Sequence, residues 1–547
     1  MSKVLEKVTN YFCQRERGWV LSLFVVVCLV YLPFLGSPFV FDDENFFHTL
    51  AIKHFAQSQS QFQFSLRWLP YATLGWIYAV VGDELTHLYH LGSMLLHAAN
   101  VIVLFYFLRQ LINGVAPDNS ESGLTTRGAW FGALIFAVHP VAVYAAGYAI
   151  QFSILMATLF ALLMQLAYLR GLLTGQTRWL WLAVLAYFLA SLSKEHSVLL
   201  PAVLAALSIL LRSENRADKT ALWATWAGFF AVGVWVVLLS RGVIGTLYEM
   251  GVNPMFEQHM LAGESFLHLR SVLTQAGLFF KYLLLWLVPN PAWMSVDMRE
   301  HFITGLSEWQ GWAGGLAFIA YGMLAFRLLL RGGIKGLAGF ALLYPWLLFW
   351  VEFSSIRVQE VFVLYRSYLW MPGMLLLIPL LQLKWPARRT WAVLGLVALI
   401  LVPLAVNRLG VFSNDYRLWN DAAKLLHSGQ EEGADRIYYN RARAAAYAGK
   451  WQAAAEDYER VVAIRPNVAL MRYGLGVSYF NLKRYPDALG QFDAAIKLNP
   501  EYAEVYYNKG MTLKMLHENE SAMQQIEKSC ELKYAMGCFV AQWYKRR

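Results

Sequence analysis

Three adjacent carboxylates, Asp42, Asp43 and Glu44, stand in the run FVFDDENFF at Phe39–Phe47, just after the first strongly apolar segment. Acids at the end of an apolar span are costly to desolvate and gain nothing from lipid. Carboxylates so placed can take a proton from an acceptor hydroxyl, or hold a divalent metal against a phosphate through Asp42 and Asp43. The bland alternative is a solvated turn that caps the next helix. The flanking Phe39, Phe41, Phe46 and Phe47 argue against it, because aromatic rings anchor a segment at a membrane surface. Other polar residues recur at segment ends: Arg67 in SLRWLPY, His139 before Pro140, Tyr144, Gln151, Lys194 and Glu195 in SLSKEHSVLLP, and Arg366 in VLYRSYLWMP. Singly, each reads as an interface residue that snorkels. Together they set cations and acids on one side, as an anionic, phosphate-bearing substrate requires. There is no P-loop, no zinc helix, no dinucleotide fingerprint and no CxxC pair. His87, His90 and His97 share one helical stretch and read as helix-packing residues.

The elements that position these residues follow from composition. The chain has 547 residues, 58% of them hydrophobic and only 15% charged, where soluble domains run near 25%. A bilayer span takes about 20 apolar residues, and segments of that kind recur up to residue 408. The expected architecture is all-α: about eleven spans plus a re-entrant or interfacial helix at 272–288. Lys3, Lys7, Arg15 and Arg17 precede the first span, which lacks a small-residue cleavage site and reads as uncleaved. The N-terminus is therefore expected in the cytoplasm. Arg109, Arg127, Arg170, Arg178, Arg212, Arg216 and Lys219 fall on the same side under this count. If 272–288 does not cross, Arg327, Arg331 and Lys335 join them, and the C-terminus lies outside. The net charge of +10 then orients loops rather than binding nucleic acid.

Residues 411–547 carry 19 Lys+Arg and 16 Asp+Glu and read as a soluble module. Within it, Tyr439, Tyr473 and Tyr507 recur every 34 residues, as do Ala442, Gly476 and Gly510, and Tyr458, Phe492 and Ile526. A period of 34 is the tetratricopeptide spacing. The expected division is 1–408 as the membrane domain, 409–434 as a bridging helix around Trp419, and 435–547 as about three repeats. Such solenoids offer a surface to peptides or proteins; the alternative is a folding or dimerisation prop. Cys530 and Cys538, eight residues apart across a helical turn, are close enough to bridge if the module lies in an oxidising compartment; otherwise they are two small buried thiols.

Taken together, the motifs resemble those of the transmembrane-and-tetratricopeptide-repeat protein O-mannosyltransferases and their bacterial relatives, in the GT-C superfamily. FVFDDENFF resembles the family's first-loop Asp-Asp motif. SLRWLPYATL and THLYHLGSMLLHAANVIVLF resemble its Arg-Pro-Leu stretch and His-rich span. ALIFAVHPVAVYAAGYAIQF resembles its His-Pro segment, LASLSKEHSVLLP its Ser-Lys-Glu turn, and LLLWLVPNPAWMSVD and LYRSYLWMPG two later motifs. Tyr144 stands where the family has Glu, Gln151-Phe152 replaces Gln-Arg, Tyr365-Arg366 replaces Glu-Arg, and Arg67-Trp68-Leu69-Pro70 departs from Arg-Pro-Leu.

The resemblance implies inverting transfer of a sugar from a polyprenyl-phosphate donor to a hydroxyl of a secreted or periplasmic protein, such as a pilin. Asp43, or Asp42, would be the base, with Glu44 beside them. Arg366 and Lys194 would hold the departing phosphate, with Arg67 a second candidate. His139 and Glu195 would order the site, with Tyr144 and Gln151 near it, and the repeats would present the acceptor. No cofactor is implied beyond a possible divalent metal. The expected location is the bacterial inner membrane, in contact with its lipids, with the repeats in the periplasm. Two alternatives stay open: the same donor with a lipid or glycan acceptor, and a non-enzymatic membrane scaffold that recruits partners through its repeats.

Overall fold

The computed structural model describes residues 2–57, 65–116, 124–246, 266–358, 360–382, 387–426, 429, 431 and 433–545. The described chain is helical apart from isolated bridge positions, which include a pair between Met298 and Phe362 and a further one at Ile356. It divides into two compact units, Met1–Asn414 and Asp415–Arg547.

Among the described residues of the first unit, seven helices are long and apolar enough to cross a membrane, or eight when the bent pair Thr125–Val138 and Pro140–Ala146 is taken as one span. That is fewer than the eleven expected, for physical reasons. The segments at 179–192 and 197–211 fall in the shorter helices Thr177–Ser193 and Glu195–Leu210. The segment at 362–382 is broken into 3-10 turns around Pro372 before a short α-helix. Leu267–Leu287 has the length of a span, but Arg270, Gln275 and Lys281 interrupt its apolar character.

The bend in the pair measures 63°. Pro140 has no N–H to continue the first helix, and it forces the preceding residue into an extended conformation. His139 accordingly sits at φ −74°, ψ 128°, and its side chain caps the second helix. Elsewhere helices approach closely at glycine. A Cβ on Gly339 would strike the backbone of Leu329 in the neighbouring Trp309–Leu330 helix.

The second unit is a stack of helical hairpins: Ala434–Tyr447 with Trp451–Ile464, Ala469–Asn481 with Tyr485–Leu498, and Ala503–Met515 with Asn519–Glu531, closed by Ala535–Lys545. The 34-residue period sets its packing. A Cβ on Gly476 would lie 2.6 Å from the Phe492 ring, and one on Gly510 2.7 Å from Ile526. Small residues on one helix therefore admit large ones from its partner. The Asp415–Ala423 helix, with Trp419 2% exposed, groups with this unit. Arg441 grips Asp457 with two bonds of 2.6 and 2.7 Å.

Cys530 and Cys538 form a disulfide, with an S–S distance of 2.01 Å, that ties the last two helices together. Alkylation followed by peptide mapping should leave both cysteines unlabelled until a reductant is added. Labelling in protein from the native compartment without reductant would exclude the bond.

Candidate active site

The acidic run forms a short helix, Asp42–Phe47, with Asp42, Asp43 and Glu44 in its first turn. A helix N-terminus favours negative charge. The turn before it is tight, since Phe41 sits at φ +56°, a region that bulky side chains rarely enter. Of the four rings that the sequence suggested as surface anchors, Phe41 is partly exposed and the other three are buried. Phe39, Phe46 and Phe47 are buried in a cluster with Tyr89, Leu74 and Phe152, and Phe39 stacks on Phe47 at 4.1 Å.

Asp43 is wholly buried. Its Oδ2 accepts the N–H of Ala149 at 3.0 Å and its Oδ1 that of Ile150 at 2.7 Å. Those amides open the turn after the bent helix pair, so Asp43 latches the first loop to that pair. Burial pushes its carboxyl up to about 7, against the pull of the two backbone N–H groups and with a further push from Asp42. Asp42 and Glu44 are only partly buried.

The sign of the stability effect follows. The folded protein holds a proton on Asp43 that the unfolded chain loses near pH 4. That contribution is complete below the unfolded pKa and lost as pH rises through about 7. The thermal midpoint of the wild type should therefore fall relative to an Asp43→Asn variant between pH 4 and 7. A constant difference across that range would refute the assignment.

The cations lie in a connected network. Arg67, at φ +61°, makes a forked pair with Glu195, its Nε donating to Oε2 at 2.9 Å and its Nη2 to Oε1. His196 stands between two acids, with Nδ1 3.4 Å from Glu195 Oε1 and Nε2 3.2 Å from Glu352 Oε1. Glu352 Oε2 in turn meets Arg357 Nε at 2.9 Å and Arg366 Nη1 at 3.2 Å. Glu352, Arg357 and Arg366 are all at most 2% exposed. Glu352 thus supplies Arg366 with the carboxylate that the Tyr365-Arg366 pair lacks.

Lys194 is 3% exposed. Its Nζ donates to Ser153 Oγ at 3.3 Å and lies 4.9 Å from the Tyr365 ring centre. Burial, and then the Arg67 and Arg366 charges, bring its ammonium down to about 7, while Glu195 and Glu352 pull the other way.

Aromatic contacts join the acids to this network. Tyr148 packs against Phe41 and against Tyr365, and its hydroxyl accepts from Gln151 Nε2 at 2.9 Å. An apolar groove of about 490 Å³ opens beside the cations. Its walls include Val198, Val236, Ile244 and Trp350, and Arg67, Glu195, His196 and Arg357 stand at its polar part.

Two expected site residues serve the frame. His139 Nδ1 accepts the Val141 N–H, so its Nε2 carries the proton and donates to Trp286 O at 3.0 Å. Tyr144 is buried, and its hydroxyl accepts from Arg408 at 3.4 Å. His90 and His97 likewise bond to backbone carbonyls, of Ser37 and Ala137.

Sequence reasoning passed over Glu352, Arg357, Arg408 and Ser153. Glu352 and Arg357 had a readable signal, since two opposite charges in LLFWVEFSSIRV interrupt an apolar run. Arg408 had a weaker one, at the end of the last apolar helix. As for a metal, both Asp43 oxygens are taken by backbone N–H groups. Among the described residues, no three His, Cys, Asp or Glu side chains gather to hold an ion.

Comparison with known proteins gives family matches in the second unit. Two tetratricopeptide-repeat models match, over residues 439–503 and 492–524. No curated protein matches the chain. Among solved structures it is similar to the crystal structure of MamA, at 23% identity over 23% of this chain and 75% of that one, with a TM-score of 0.20. The C-terminal unit carries tetratricopeptide repeats, a module for protein–protein interaction.

Proposed function

We propose that the chain is a GT-C-type membrane glycosyltransferase. It moves a sugar from a polyprenyl-phosphate donor to a hydroxyl of a secreted protein, from the outer face of a bacterial inner membrane. One observation carries this reading: an acidic helix turn and a buried cation network share one aromatic frame, and beside the cations lies an apolar groove suited to a lipid-linked anion. A scaffold would gain nothing from burying Glu352, Arg357, Arg366 and Lys194 together, because desolvating charge costs stability.

In this reading the labour divides as follows. Asp43 latches the loop, and the more exposed Asp42 is the base. Asp42 takes the proton from a Ser or Thr hydroxyl, and that oxygen attacks the anomeric carbon from the face opposite the phosphate. The bond from carbon to phosphate oxygen breaks, and its electron pair leaves with the phosphate. Arg67 and Arg357, at the groove, stabilise the charge that develops there. Lys194 and Arg366 sit behind them in the same network. The repeats hold the acceptor protein.

Transfer by purified protein, from a polyprenyl-phosphate sugar to a protein acceptor, tests this directly. Label appearing only in lipid or glycan would select the alternative acceptor, and no transfer to either would leave the scaffold. The side of the repeats has its own test. Cysteine placed at exposed Asn467, in a variant that lacks Cys13 and Cys28 but keeps the disulfide, should react with an impermeant thiol reagent on spheroplasts. Protection until lysis would put the repeats in the cytoplasm.

Lys194 adds a pH signature. Its charge is lost as pH rises through about 7, so the donor KM should rise from pH 6.5 to 8. In Lys194→Met that rise should flatten. An unchanged slope in the variant would remove Lys194 from donor binding.

A further inference from the structure

A second built cavity lies at the far end of the same helices. On the Thr86–Val115 helix, His90 marks the acidic-loop end by its bond to Ser37 O. Arg109 stands nineteen residues further along, about 28 Å at the helical rise, close to the thickness of a hydrocarbon core. There Arg109, Arg170, Gln110 and Asn113 line a polar cavity of about 410 Å³. Arg170 is braced by Gln110, at 3.1 Å, and by the face of Trp179, at 4.9 Å. An adjoining cavity of about 430 Å³ shares Glu16 and Tyr106 with the first. Its wall is apolar, from Val20, Leu21, Phe24 and Ile102, with Arg17 at its rim.

We propose that these two cavities are one binding site for a single anionic phospholipid. The phosphate sits against Arg109 and Arg170 with Arg17 beside it, and an acyl chain lies along the Val20–Phe24 face. Charge complementarity names the occupant. Three guanidiniums face one carboxylate, Glu16, which pairs with Arg109 and must swing aside. The apolar trough gives a free phosphate nothing but gives a lipid tail its place. Basic pockets between helices on the cytoplasmic side suit such headgroups. The proposal rests on the membrane reading above and is independent of the transfer chemistry.

The test uses the full-length protein in detergent, with native mass spectrometry of bound lipid after addition of phosphatidylglycerol, phosphatidylcholine or glycerol phosphate. One phosphatidylglycerol should be retained at least tenfold better than phosphatidylcholine, and millimolar glycerol phosphate should not displace it. Arg17→Gln, at an exposed position, should weaken retention roughly fivefold. Arg109→Gln with Arg170→Gln should abolish the preference, and Glu16→Gln should strengthen binding. Arg327→Gln, a basic change outside the cavities, should leave it unchanged. Equal retention of both lipids, or no gain in Glu16→Gln, overturns the proposal. Displacement by glycerol phosphate would make this a free-phosphate site and overturn it as well. Carbonate extraction separates the two readings: release from membranes would defeat the membrane reading, whereas a membrane-held protein without lipid preference defeats this proposal alone.

Discussion

Asp42→Asn is expected to lower sugar transfer by about 10²–10⁴-fold, the range of a lost general base, with little effect on folding. Asp42 is partly exposed in the first turn of its helix, and Asn keeps its size while giving up its charge and basicity. Asp43→Asn should behave differently. Its side chain is sealed inside and must accept two N–H groups, from Ala149 and Ile150. An amide offers one acceptor oxygen and turns its NH₂ towards the other N–H. The variant should lose a backbone bond, loosen the first loop, and show lower thermal stability at pH 5 together with reduced activity. Steady-state transfer and a melting curve on both variants decide the matter. Full activity in Asp42→Asn, or a silent melt in Asp43→Asn, would reverse the two roles.

The largest stability effect should come from Glu352→Ala. Glu352 is fully buried and takes contacts from His196, Arg357 and Arg366. Removing it leaves two guanidiniums in a low-dielectric interior without their carboxylate. Breaking such a pair from one side costs about 3–5 kcal/mol, whereas replacing the whole group by apolar residues of similar volume is often neutral. Glu352→Ala should therefore yield little folded protein. Glu352→Leu combined with Arg357→Met and Arg366→Met should recover much of the yield and thermal midpoint, without activity. If the single variant melts like the wild type, the network is not buried in the working protein. If the triple variant stays unfolded, the network supplies more than charge balance.

The repeat module was the most legible part of the chain. Its signal is local and periodic: a small residue every 34 positions has one packing solution, and Gly476 against Phe492 shows it. The apolar helices were legible for the same reason, though their number was not. Whether an apolar run of fifteen to twenty residues stays one helix depends on a Pro, a turn or a buried charge. The stretch at 362–382 broke at such points.

The site divides along similar lines. Sequence by itself determined which residues carry charge beside apolar segments: Asp42, Asp43, Arg67, Lys194, Glu195 and Arg366. It did so because such residues are costly there and conspicuous. Only the tertiary structure decided their partners, because those partners lie far away in the chain. Asp43 meets amides more than a hundred residues on, and Arg67 finds Glu195 across 128 residues. Arg366 takes its carboxylate from Glu352 rather than from the residue beside it. Burial separates Asp42 from its neighbour Asp43, since one helical step turns a side chain from a partly exposed face into the core. No spacing rule along the chain carries that distinction; it comes from what packs against each face.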